Sequence, residues 1–114
     1  SADVVFESSV EVEVLPPAIE NIVALALREA VTNIIRHSDA KHCRFRLYQK
    51  RDRVHVEIAD DGRLGSDKED AIKRGNGLNG MSERIRSLDG ELQIECKQGL
   101  TLRFSLPLHG QEAA

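Results

Sequence analysis

The sequence predicts a two-layer α/β sandwich, α+β by a stricter definition, in which a mixed β-sheet carries its helices on one face. Three observations predict it. Apolar runs of period two stand near both ends of the chain and in its middle, a long stretch of helical spacing follows a Pro-Pro pair, and a second helical stretch follows a glycine-bearing segment. Strands from both ends with helices between them share one core when the helices cover one face of the sheet. A chain of 114 residues supports one such core and not two, so residues 1–114 read as a single domain.

Taken in order, Val10-Glu11-Val12-Glu13-Val14 alternates as a half-buried strand does. Pro16-Pro17 stops it and suits a first helical turn, where a missing N–H leaves no bond unmade. The helix expected from Pro17 to His37 places Ile19, Val23, Ala26, Ala30 and Ile34 on one stripe. Arg44–Gln49 and Arg53–Ala59 read as a hairpin across Lys50-Arg51-Asp52. From Asp60 to Gly77 the chain turns polar and glycine-bearing, with a short helical suggestion at Asp67–Ile72. Leu78–Leu88 is a second amphipathic helix, with Asp89-Gly90 as its stop. Glu91–Cys96 and Leu100–Leu106 form a last hairpin across Lys97-Gln98-Gly99, ended by Pro107.

Bulk properties exclude several functions. A net charge of −3 argues against a nucleic-acid partner, which requires a basic face. No apolar run approaches the roughly 20 residues of a membrane span, and no charged-then-apolar leader opens the chain. Cys43 and Cys96 sit in strand-like runs and read as core residues of a reducing, cytoplasmic compartment. The absence of CxxC or clustered His/Cys makes a structural zinc site a poor fit.

Three places carry chemistry. On the long helix, Glu29, Asn33 and Arg36 fall within roughly a 60° arc, with His37 beside them. Asn is a poor helix former, so a mid-helix Asn needs a reason. A carboxylate one turn before it and cations one turn after make oxygen donors suited to Mg²⁺, followed by phosphate partners. At the end of the second hairpin strand, Asp60-Asp61-Gly62 leads into a long polar stretch instead of a tight turn. A carboxylate there can accept a hydrogen bond from the exocyclic amine of adenine, where guanine has a carbonyl, and Gly62 allows close approach of the base. Third, Gly75-Asn76-Gly77-Leu78-Asn79-Gly80-Met81 runs into the N-terminus of a helix, where N–H groups and the dipole favour phosphate. It matches GxGxxG, but a dinucleotide fold needs a strand before the glycines, and here Lys68–Arg74 stands there. A protein-kinase reading fails for lack of HRD and DFG.

These motifs, in this order, strongly resemble the ATPase domain of sensor histidine kinases. They are the helix Leu27-Arg28-Glu29-Ala30-Val31-Thr32-Asn33-Ile34-Ile35-Arg36-His37-Ser38, then Asp60-Asp61-Gly62, then Gly75-Asn76-Gly77-Leu78-Asn79-Gly80-Met81-Ser82-Glu83-Arg84. The nearest likeness is to the subfamily of nitrate sensors and the bacterial membrane-fluidity sensor, within the GHKL superfamily, and it covers about Val10 to Pro107. It implies a Bergerat-type fold binding ATP with Mg²⁺. Asn33 would ligate the metal with Glu29 as a second metal-side or water-polarising group, and both would serve catalysis. Arg36 and His37 would approach the phosphates, Asp60 the adenine amine and Gly62 the base edge. Gly75, Gly77, Leu78, Gly80 and Met81 would form the phosphate loop, with Asp61–Arg74 as a short lid. Thr101 lies near the position that reinforces the adenine contact through water. The sequence departs from the pattern at Leu64, where a second glycine is usual, and at Gly99-Leu100-Thr101, where the threonine is displaced by one.

The resemblance further implies transfer of the γ-phosphoryl group to a histidine on a separate dimerisation domain of the same homodimeric protein, with a response regulator downstream. No helical hairpin precedes Val10, and His37, His42, His55 and His109 do not fill the acceptor role. The chain therefore reads as the nucleotide half of such an active site. An anti-sigma-factor-like serine kinase or interaction switch is the alternative.

Overall fold

In the computed structural model, residues 5–12, 14–37, 40–62, 76–96 and 99–108 are described, with side chains throughout except at 33–37, 76–79 and 96. The helical suggestion at Asp67–Ile72, together with Leu64 and Gly75, lies outside them. The elements are β1 (Val5–Glu11), α1 (Pro17–His37), β2 (His42–Lys50), β3 (Arg53–Asp60), α2 (Asn76–Ser87), β4 (Glu91–Cys96) and β5 (Leu100–Pro107). They build a five-stranded sheet of order β1-β2-β3-β5-β4. β1 pairs with β2 in parallel, and the other pairs are antiparallel. The expected mixed sheet with helices on one face is the observed architecture.

α1 begins as its prolines dictate. The Pro16 carbonyl accepts from Ile19 N–H and Glu20 N–H, each at 3.0 Å, so the first orphan donors of the helix are satisfied. Ile19, Ile22, Val23, Ala26 and Ala30 form its buried stripe. They meet alternating residues of the sheet: Cys43 and Leu47 from β2, Val54, Val56 and Ile58 from β3, and Leu102, Phe104 and Leu106 from β5. Cross-strand register aligns these on one face, for example Leu47 opposite Val56 and Val56 opposite Phe104. α2 adds Met81 and Ile85, both 0% exposed.

The other face of the sheet is polar. Glu57 at its centre meets Arg103 at 2.8 Å, Arg44 at 3.4 Å and Arg46 at 3.9 Å, and Arg103 continues to Glu95 at 3.1 Å. Tyr48 stacks on His55 with centroids 5.1 Å apart, and Arg46 lies over the Tyr48 ring.

Several boundaries differ from expectation. The first strand is Val5–Glu11, not Val10–Val14. It is an edge strand exposed along its whole length, so inward-facing valines do not define it; backbone pairing with β2 does. The alternating valines serve the crossing into α1 instead, with Val12 packed against the core and Val14 left 82% exposed. α2 starts two residues early, at Asn76, and absorbs the glycine segment as its first turn. Its stop is a Schellman arrangement in which Gly90 N–H donates to Ile85 O at 2.8 Å and Asp89 N–H to Arg86 O at 3.1 Å. The left-handed residue is Asp89, at φ 61°, rather than the glycine. Gly90 is required for a different reason: a Cβ there would stand 2.6 Å from Leu106 Cδ2 and from Ser105 O. The β2–β3 hairpin is present as expected, turning on Arg51-Asp52 with Arg51 at φ 57°. Among the described residues no helix is long and apolar enough to cross a membrane.

Candidate functional site

The end of β3 carries the Asp60 motif. β3 ends at Asp60, whose place in the register is opposite buried Cys43, on the helix-facing side of the sheet. The Asp60 Oδ1 accepts from Gly62 N–H at 2.9 Å, a side-chain turn that carries the chain off the strand. Gly62 is buried. From β5, Gly99 presses on the same residue: at φ 141°, a Cβ on it would fall 2.0 Å from Asp60 O and 3.1 Å from Asp60 Oδ1.

α1 arrives at this end because its last residue, His37, stands only five residues before His42, which opens β2 beside the β3 terminus. Glu29 is half-buried on α1, and Asn33, Arg36 and His37 occupy its last two turns. α2 is held at its other end. Its C-terminal Ile85 and Leu106, at the far end of β5, both stand beside Gly90.

The predicted residues are not equal in this arrangement. Asp60 and Gly62 are joined by a side-chain turn, the end of α1 leads toward the Lys41-His42 junction, and Gly77 and Leu78 belong to the first turn of α2. Gly80 is exposed, and a Cβ there would meet nothing within 4 Å, so the fold itself does not demand a glycine. Met81 is wholly buried in the core and faces α1 and the sheet, a packing residue. Thr101 alternates with buried Leu100 and Leu102 and pairs with Ala59, which sets it on the opposite face of the sheet from Asp60. The arrangement does not bring those two together.

Two residues at this end were missed by sequence reasoning. Gly99 passed as an ordinary turn glycine, and its contact with Asp60 becomes visible only with the β3–β5 pairing. Asp61 passed as the start of the lid. Its Oδ1 accepts from Lys41 N–H at 2.8 Å and His42 N–H at 2.9 Å, and its Oδ2 lies 2.8 Å from His42 Nδ1. The backbone bond from His42, then its imidazole and the bond from Lys41, hold the Asp61 carboxyl down at about 2. The tandem Asp60-Asp61 was the available signal, since one strand-end carboxylate cannot face both ways. Beside them, burial and the charges of Asp60 and Asp61 push the Cys43 thiol up to about 11, so it stays protonated and is no nucleophile.

A half-buried carboxylate at a strand end, closed in by two glycines, can select an amine-bearing planar base. Residues 2–102 match the family of histidine kinase-like ATPase domains. The chain belongs to that family. As a histidine kinase-type ATPase domain it is 39% identical over 103 residues to the sensor histidine kinase YvfT of Bacillus subtilis, covering 90% of this chain and 27% of that protein. It is 39% identical over 88 residues to the sensor histidine kinase DesK of the same organism, covering 77% of this chain and 24% of that one. The ATPase domain thus spans about a quarter of these curated relatives. Its fold matches the histidine kinase domain of the Erythrobacter litoralis blue-light activated histidine kinase with a TM-score of 0.80 at 20% identity, over 99% of this chain and 55% of that one. The catalytic domain of the histidine kinase ThkA matches with a TM-score of 0.63 at 17% identity, over 90% of this chain and 76% of that one.

Proposed function

We propose that residues 1–114 form a single ATPase domain that binds Mg·ATP at the Asp60 end of the sandwich. In its full-length protein it would pass the γ-phosphoryl group to a histidine on a separate dimerisation domain, feeding a response regulator. That protein would act as a homodimer with this domain on the cytosolic side of the membrane or free in the cytosol. The observation that carries the reading is the Asp60 turn: a carboxylate on the helix-facing side of the sheet, with Gly62 and Gly99 packed around it. An acceptor-only carboxylate distinguishes the adenine amine from the guanine carbonyl, and a charge-assisted bond of this kind contributes roughly 1.5–3 kcal/mol.

The metal end belongs to α1. Mg²⁺ takes oxygen donors, keeps several waters and needs only one or two side chains besides the nucleotide phosphates. Asn33 and Glu29, one helical turn apart, supply that donor set. The ion would neutralise phosphate charge as the transferred group departs. Arg36 and His37 would steady the phosphates, and Gly75, Gly77 and Gly80 would admit them to the first turn of α2. Catalysis is then mostly positioning and charge stabilisation.

Calorimetric titration tests this. Mg·ATP should bind with a Kd of about 10⁻⁶–10⁻⁴ M. Asp60→Asn retains an oxygen for Gly62 but loses the charge, and should weaken ATP at least about tenfold; unchanged affinity would remove Asp60 from the adenine site. Asn33→Ala should weaken ATP and abolish its dependence on Mg²⁺. Joined to its dimerisation domain, the protein should label a histidine; serine labelling of a partner would favour the anti-sigma-like reading instead.

A further inference from the structure

Asp61 leaves the sheet where Asp60 stays in it. Its two carboxylate oxygens and its own N–H all go to one dipeptide: Oδ1 to the N–H groups of Lys41 and His42, Oδ2 to the His42 imidazole, and N–H to His42 O at 3.2 Å. That dipeptide closes the connection from α1, four and five residues beyond His37. One neighbour of the bond network is thus the helix end bearing Asn33, Arg36 and His37, and the other is Asp60 itself. No other side chain among the described residues is shown bonding to both backbone N–H groups of the junction.

We propose that Asp61 is a positioning residue for nucleotide selection. It straps the α1–β2 junction to the strand end and so sets the spacing between the metal and phosphate groups of α1 and the adenine-reading carboxylate of Asp60. Gly99 fixes Asp60 from the β5 side, and Asp61 fixes it from the β2 side. This inference rests on the nucleotide site proposed above.

A residue that merely stabilised the fold would change how much protein is folded and would leave the relative affinity for two nucleotides unchanged. Asp61 acts on the geometry between the two ends of the ligand, so its loss should change the preference itself. The test titrates the full chain with Mg·ATP and, by displacement, with Mg·GTP, alongside thermal melting. Asp61→Ala should keep a cooperative melt, weaken ATP about tenfold and shrink the ATP-over-GTP preference. Asp61→Asn, which keeps an oxygen acceptor for Lys41 and His42, should restore both to within about threefold of wild type. A folded Asp61→Ala with wild-type affinity and preference overturns the proposal, as does an Asn variant that rescues stability without rescuing preference. Should Asp61→Ala not fold, His42→Ala carries the test: it removes only the imidazole bond and should lower the preference in the same direction, and an unchanged preference overturns the proposal. Wild-type protein that binds neither nucleotide overturns the site and this inference together, whereas failure confined to the variants leaves the site standing.

Discussion

Glycine does three different jobs here, and substitution separates them. Gly99 is held at φ 141° against the Asp60 backbone. Gly99→Ala should destabilise the chain by at least about 2 kcal/mol in urea denaturation, from backbone conformation and steric clash together. Nucleotide affinity should fall with it, because the displaced atoms belong to Asp60. Gly80 is the reverse case, with open space where its Cβ would stand. Gly80→Ala should raise stability by about 0.5–1 kcal/mol through helix propensity and lower ATP affinity, showing that the glycine serves the ligand. Gly90 belongs to packing, and its neighbour Asp89 carries the left-handed strain, so Asp89→Gly should stabilise by about 0.5–1 kcal/mol. The sequence announced Asp60, Gly62 and the Asn33 helix because a chemically odd residue in a regular element is visible without coordinates. It could not announce Asp61 or Gly99. Their partners are 19 and 39 residues away, and only strand register brings them close.

At the scale of elements, the bounds of α1 were legible, since the paired prolines define its start, and so was its face at Ile19, Val23, Ala26 and Ala30, with Ile34 outside the described side chains. The β2–β3 hairpin was legible for the complementary reason, with Val54, Val56 and Ile58 alternating into one face. β1 was misplaced because an edge strand carries no burial pattern to read. α2 shows that a motif residue can belong to the core. Met81 stands at the end of the glycine motif proposed to hold phosphate, yet it is 0% exposed, like Ile85. Met81→Ala should therefore cost about 2–4 kcal/mol in chemical denaturation, while Met81→Leu should cost less than about 1.5 kcal/mol and leave nucleotide affinity intact.

For the molecule as a whole, pH reads out the charge arrangement. Hydrogen bonds from His42 and Lys41 hold Asp61 at about 2, below its ordinary 3.8, and the Arg103 bond holds Glu57 below its ordinary 4.5. Depressed carboxylates contribute stability above their unfolded pKa that is lost as pH falls toward the folded one. His55, kept low by burial and by Arg53 and Lys50, must be protonated at a cost, so its contribution also fades on acidification below 6.5. Cys43 has the opposite sign. Raised from 9.0 to about 11, it contributes stability that is lost as pH climbs through that interval. The urea midpoint should accordingly form a plateau between about pH 7 and 9, falling on both sides, and Cys43→Ala should flatten the alkaline limb alone.

β1 has a consequence of its own. It is joined to the sheet by one ladder and buries neither face, and the largest fully buried side chains lie on α1, α2, β3 and β5 instead. Amide hydrogen exchange should therefore resolve two populations. Residues 5–11 should exchange through a low-energy local opening, while Val54–Ile58 and Leu102–Ser105, paired on both sides, should exchange only on global unfolding. The domain would then have a detachable border beside a cooperative interior, and Val5, whose N–H donates to Lys41 O at 2.8 Å, would join that border to the junction strapped by Asp61.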